Sequence, residues 1–230
     1  MIDVTRPGLQ FYIDQLHADR RFSLARYGNG EWDCILGRYP HTRSGSQAFT
    51  PDLRAALTDT LTHAPGGECY HALQSRTYLE RVGLLAPAAA WCAANAPGIT
   101  WHDGEVLVKA SLHGELYPLI QALSFHDLVV VGPPWLLKLP FARVFIPTPA
   151  RNAWEQADAL TRKLRGFPNC VISLSCGPLA KVLIHRLYRE LPSSWLLDFG
   201  SLWDPYCGKR SRRYHARLTP EILRRNLEGA

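Results

Sequence analysis

No C-x-x-C pair and no closely spaced Cys/His cluster occurs among the six cysteines, Cys34, Cys69, Cys92, Cys170, Cys176 and Cys207. That absence argues against a structural zinc site, which needs ligands at short, regular spacings. The N-terminus carries Asp3, Arg6 and Asp14 and no long apolar block, so nothing there reads as a secretory signal. Free thiols in a reducing cytoplasm are the expectation. Charge is missing from residues 82–101, a length that raises the question of a membrane span. The stretch is alanine-rich and contains Pro87, Asn95, Pro97 and Gly98, which predicts a soluble, partly buried helix followed by a turn and no stable membrane insertion. Repeats and low-complexity tracts are also lacking, and no G-x-x-x-x-G-K-[ST] loop is present, which disfavours a P-loop enzyme.

What is present suits one domain. The 230 residues are 47% hydrophobic, enough to bury a real core, and they divide into a single unit, 1–230, with a basic C-terminal segment, 207–230. A net charge of +6 favours anionic partners: nucleotide-sugars, acidic glycans, anionic membrane surfaces or nucleic acids. Strand-like runs fall at 22–27, 68–73, 106–109, 128–131, 143–146, 170–174 and 195–198. Helix-like stretches at 51–63, 78–95, 115–124, 153–165 and 178–191 lie between most of them. Alternation of this kind, with continuous apolar runs such as Leu-Val-Val-Val, predicts an α/β fold with a mostly parallel sheet flanked by helices. Ligands of such sheets bind beyond the carboxyl ends of the strands.

Residues 23–36 carry the strongest signal. A strand ends at Gly28-Asn29-Gly30, and Glu31 and Asp33 follow on the first turn of a helix expected at 31–37. Glycines let backbone N–H groups approach a phosphate, while carboxylates at the same turn call for a bridging divalent cation. A second turn, Ser175-Cys176-Gly177, leads through Pro178 into a helix that carries Lys181, and could bind phosphate at its N-terminus. A third, from Asp198 through Tyr206, follows an apolar strand. Lys209, Arg210, Arg212, Arg213, His215 and Arg217 then crowd together, followed by Arg224 and Arg225 on a terminal helix. A literal Asp-X-Glu, Asp103-Gly104-Glu105, is read as a solvated turn at the amino end of the strand 106–109.

Arg26-Tyr27-Gly28-Asn29-Gly30-Glu31 resembles the Arg-aromatic-Gly-Asp-Gly-Glu signature of the GT-D glycosyltransferases. Phe49 to Leu53, Ser173 to Lys181 and Leu197 to Ser201 are similar to later segments of the same family, so the likeness covers most of the chain. The resemblance implies a Rossmann-like domain that binds a nucleotide-sugar, most simply a UDP-sugar, and a divalent cation, Mn²⁺ or Mg²⁺. It implies Asn29 and Glu31 at the metal and Glu31, Asp33 and Asp198 in catalysis. Donor contacts would come from Arg26, Gly28, Asn29, Gly30, Ser175, Cys176, Gly177, Lys181, Arg210 and Arg213. Asn29 stands where the family carries an aspartate, and an amide oxygen ligates a hard cation without charge. The acceptor would be a glycan, a glycoconjugate or a hydroxylated base in DNA. Two other readings stay open: another nucleotide-using transferase, and a catalytically silent module that binds nucleotide or nucleic acid.

Overall fold

The computed structural model describes residues 2–229. Eight strands form one sheet: β1 (Val4–Thr5), β2 (Ser23–Tyr27), β3 (Cys69–Leu73), β4 (Trp101–Asp103), β5 (Asp127–Gly132), β6 (Val144–Pro147), β7 (Cys170–Leu174) and β8 (Trp195–Asp198). Their order is β1-β4-β3-β2-β8-β7-β5-β6, and every neighbouring pair is parallel. β5 and β7 are buried along nearly their whole length, as an apolar strand covered on both faces must be. The α/β expectation therefore holds.

Among the described residues, ten α-helices accompany the sheet: α1 (Leu9–His17), α2 (Asn29–Ile35), α3 (Pro51–Thr62), α4 (Arg76–Arg81), α5 (Leu85–Asn95), α6 (Val106–His113), α7 (Tyr117–Ser124), α8 (Ala157–Leu164), α9 (Leu179–Leu187) and α10 (Pro220–Glu228). One core packs α2, α3, α5, α8 and α9 against one face; the other packs α1, α6 and α7 with Phe199, Leu202 and Trp203. α3 shows why these segments are helical. Pro51 occupies the first turn, Thr50 Oγ1 accepts the Leu53 N–H at 3.2 Å, and Leu53, Leu57 and Leu61 recur on one buried stripe. No helix of the described residues is long and apolar enough to cross a membrane. The uncharged stretch 82–101 supplies α5, a turn and the start of β4. The helix expected over 78–95 is two helices, because Gly83 takes a left-handed φ of +69° between them.

One element differs in kind. Residues 106–109 belong to α6, and the strand precedes them as β4. Four residues, three of them apolar in a row, do not separate a strand from one turn of helix, and the backbone decides the case. Gly104 N–H donates to Leu73 O at 2.7 Å, and a Cβ at Gly104 would sit 2.6 Å from that same oxygen. Only glycine passes this point, so β4 stops and the chain turns into α6. Asp103-Gly104-Glu105 consequently lies at the carboxyl end of a strand, on the ligand edge, and the amino-end placement expected from sequence is corrected.

The chain leaving β5 passes to β6 on one side, while the chain leaving β7 passes to β8 on the other. This divergence is the switch point at which sheets of this class open a crevice.

Candidate active site

The turns at Gly28–Glu31, Asp103–Glu105, Ser175–Gly177 and Asp198–Ser201 all lie at the carboxyl edge of the sheet, after β2, β4, β7 and β8. Glu31, on the first turn of α2, sends Oε2 back to the Gly28 N–H at 2.9 Å, a helix-capping contact that closes the turn after β2. A Cβ at position 28 would approach Gln74 Oε1 to 2.9 Å, so any larger residue there would displace the Gln74 amide from its place. Gln74 Oε1 also accepts the Asn29 N–H at 2.9 Å. At Gly30 a Cβ would meet only the Thr42 methyl, at 3.5 Å, an ordinary contact.

Lys181, on the first turn of α9, lies between two carboxylates. Its Nζ is 2.8 Å from Glu31 Oε1 and 2.8 Å from Asp198 Oδ2, and it donates to Gly177 O at 3.3 Å. All three side chains are at least nine-tenths buried. Asp198 accepts in addition from Arg26 N at 3.2 Å and Gly200 N at 3.0 Å. Burial pushes the Glu31 carboxyl up, but the Lys181 ammonium and the Gly28 N–H outweigh it and hold Glu31 below its ordinary 4.5. Burial likewise pushes Lys181 down, and Asp198 and Glu31 reverse it, raising the ammonium above 10.5. Glu31 and Lys181 therefore stay charged at neutral pH, each stabilising the ionised form of the other inside a buried cluster.

This arrangement reassigns several expected donor contacts. Lys181 spends its three N–H donors inside the protein. Arg26 commits three of its five N–H donors in the same way: Nε and Nη2 donate to Gly104 O at 3.3 and 3.1 Å, and Nη1 to Phe199 O at 3.1 Å. The guanidinium thus ties the ends of β2, β4 and β8 together. Asp33 is two residues, about 200°, around α2 from Glu31 and points elsewhere. It is fully buried, its Oδ2 held by Arg43 Nε at 3.1 Å and its Oδ1 without a partner. Cys176 is buried, and burial raises its thiol to about 12, which removes it as a nucleophile near neutral pH.

The expected metal ligands do not fit a cation as they stand. Asn29 offers a neutral amide, and both Glu31 oxygens are committed, one of them to an ammonium. Among the described residues no group of three His, Cys, Asp or Glu side chains is placed to hold a metal ion. A divalent ion about 4 Å from Lys181 Nζ would meet a repulsion of roughly 8 kcal/mol at an effective dielectric near 20. The literal Asp-X-Glu is committed as well. Asp103 pairs with Lys109 Nζ at 2.7 Å and accepts from Glu105 N, while Glu105 accepts from Ser75 N at 3.3 Å.

Two hydroxyls at the switch point have the opposite character. Ser175 N donates to Val131 O and Thr148 N to Gly132 O, both at 2.8 Å, so these residues flank the end of β5. Their side-chain oxygens are buried and have no hydrogen-bond partner. Thr148, like Gln74, went unmarked in the sequence. The available signal was position, since each is the first residue beyond the end of an apolar strand.

Alongside lies the basic segment. Asp204, buried after β8, accepts from Trp135 Nε1 at 2.8 Å and from Ser211 Oγ, and burial raises its carboxyl above 3.8 against those two bonds. His215 Nδ1 accepts from Ser211 N at 3.1 Å and Arg212 N at 3.3 Å, and burial lowers the ring to about 4. These anchors hold Lys209, Arg210, Arg212 and Arg213 exposed. Tyr214 is close enough to Arg26 and Arg212 for their charges to act on its phenol, which puts the segment at the same edge.

Solved structures share this architecture across most of the chain. One, described as a new glycosyltransferase (DUF1792) from Streptococcus sanguinis, is 22% identical with a TM-score of 0.68, covering 89% of this chain and 84% of that one. Another, described as showing that the highly conserved domain of unknown function 1792 has a distinct glycosyltransferase fold, is 17% identical with a TM-score of 0.67, covering 88% and 80%. No family model matches the sequence, and no curated protein does either. The chain therefore has the fold of these glycosyltransferase structures, the fold that the sequence resemblance implies.

Proposed function

We propose that the protein is a glycosyltransferase that takes a nucleoside-diphosphate sugar, a UDP-sugar in the simplest case, at the β5/β7 switch point. The observation that carries this reading is the pairing of two buried, partnerless hydroxyls, Ser175 Oγ and Thr148 Oγ1, with an exposed cationic segment on the same edge. Buried polar atoms are normally satisfied, and two partnerless hydroxyls flanking the end of β5 at the ligand edge are suited to a polar ligand. The fold likeness to proteins described as glycosyltransferases supports the reaction class.

In this reading the hydroxyls contact the nucleoside diphosphate, and Arg210 and Arg213 hold the diphosphate as it leaves the anomeric carbon. Charge builds on that group in the transition state, and each well-placed electrostatic contact is worth about 100- to 1000-fold in rate. Glu31 and Asp198 act as positioning residues with Lys181. A carboxylate held below its ordinary value stays charged and is a poor proton acceptor. The acceptor is a hydroxyl of a glycan, a glycoconjugate or a modified DNA base. The exposed arginines favour an anionic one, and nucleic acid would show itself by strong loss of acceptor binding between low and physiological salt.

The test is thermal unfolding with UDP and other nucleoside diphosphates, followed by turnover of the matching UDP-sugars. A bound nucleotide at 100 times its Kd raises the transition by roughly 5–10 °C. Binding without any turnover would assign a silent nucleotide-binding module. Absence of binding by every nucleoside diphosphate would overturn the reading.

A further inference from the structure

Lys181 occupies the position between Glu31 and Asp198 where two carboxylates from different elements would otherwise share a cation. We propose that this ammonium is the protein's own replacement for a divalent metal, so that donor binding is metal-independent and a cation site lies latent beneath the lysine. Three observations support this. The Nζ is 2.8 Å from one oxygen of each carboxylate, a bridging geometry. Asn29 removes the charge that a third ligand would bring, so the remaining pair carries two negative charges and the ammonium cancels one. Gly28 N and Gly200 N, on the loops after β2 and β8, donate to the outer oxygens of Glu31 and Asp198, so both loops are held without any metal. The lysine enters from α9 and occupies the bridging position itself. The catalytic consequence rests on the glycosyl-transfer reading; the occupancy of the pair does not.

The test begins with the unmodified protein. Titration with Mn²⁺, followed by electron paramagnetic resonance, should show no binding up to about 1 mM that Glu31→Gln abolishes. Mn²⁺ binding that survives Glu31→Gln lies elsewhere and supports the proposal; binding that this substitution removes overturns it. In Lys181→Met the carboxylates lose their cation. This variant should bind Mn²⁺, regain thermal stability by roughly 5–10 °C at saturation, and lose that gain when combined with Glu31→Gln. A folded Lys181→Met that ignores Mn²⁺ would also overturn the proposal. Should Lys181→Met fail to fold, the wild-type titration decides. UDP should raise the unfolding temperature equally in EDTA and in Mn²⁺, and a UDP shift that needs Mn²⁺ counts against metal independence. If no nucleoside diphosphate binds under either condition, the transferase reading fails, while the Mn²⁺ titration still judges the occupancy of the pair.

Discussion

Lys181 Nζ lies 2.8 Å from Asp198 Oδ2, and this contact joins the start of α9 to the end of β8 inside the sheet edge. With Glu31 it makes a buried cluster of one cation and two anions. Removing different members should therefore have unequal effects. Lys181→Met leaves two uncompensated buried carboxylates and should cost about 3–5 kcal/mol. Glu31→Gln leaves a neutral one-to-one pair and loses charge-assisted hydrogen bonds, about 1.5–3 kcal/mol. Urea unfolding of both variants checks the ranking, and a Glu31→Gln protein less stable than Lys181→Met would sink it.

Acid should weaken the fold in two stages. Burial lowers His71 and His215 to about 4, below the ordinary 6.5. The unfolded chain thus takes up protons on both rings before the native state does, and stability falls as pH drops from 6.5 toward 4. A shift of that size corresponds to about 3 kcal/mol per histidine at the lower end. Glu31, held below 4.5, adds a further loss as pH falls through its native value. Lys181 works in the other direction, its contribution being full below 10.5 and lost as pH rises through its higher native value. Unfolding temperatures measured across this range, in wild type and His215→Phe, check the first stage. The variant should lose part of the slope between pH 6.5 and 4.

Much of this fold was legible in the sequence, and the limits have physical causes. β5 and β7 stand out because apolar runs buried on both faces leave no ambiguity. β1, two residues long, is paired only by the tertiary fold, and nothing local marks it. Residues 106–109 read as a strand because the decisive feature, the contact of Gly104 with Leu73 O, is between distant segments. The site shows the same division. Glu31, Asp198 and Ser175 were visible from strand–turn–helix patterns, but the partnership of Lys181 with two carboxylates is a product of strand order. Arg26 looked like a phosphate ligand, and its engagement with two carbonyls depends on where β4 and β8 end.

Cys176 should be chemically silent. Its thiol is buried and raised to about 12 by that burial, so only about one molecule in 10⁴ carries a thiolate at pH 8. The other five cysteines are buried and unpaired as well. Iodoacetamide at pH 8 should label none of them in the native protein and all six after denaturation. Rapid native labelling of Cys176 would show that the turn after β7 opens.

Asp33 anchors the loop that follows α2. Its Oδ2 holds Arg43, and Thr42 and Asn152 extend the contacts, the latter by accepting the Ala48 N–H at 3.0 Å. A double-mutant cycle of Asp33→Asn and Arg43→Ala should give a coupling of about 1–3 kcal/mol, since Asp33 is fully buried and Arg43 only partly so. Limited proteolysis between residues 38 and 50 should speed up in either single variant. A coupling near zero would return Asp33 to the list of candidate catalytic carboxylates.

The hydroxyls of Ser175 and Thr148 make the sharpest contrast between fold and function. A buried hydroxyl without a partner costs the folded state about 1–3 kcal/mol relative to an apolar group of the same shape. Ser175→Ala and Thr148→Val should therefore keep or raise the unfolding temperature by a few degrees. If these oxygens meet the donor, the same substitutions should weaken UDP binding by about tenfold, since one lost hydrogen bond is worth roughly 1.4 kcal/mol. Opposite signs in the two measurements distinguish a binding group from a structural one, because a structural hydroxyl loses stability on removal and leaves affinity alone. A destabilised protein with unchanged UDP affinity would move the donor away from the β5/β7 crevice and toward the basic segment after β8.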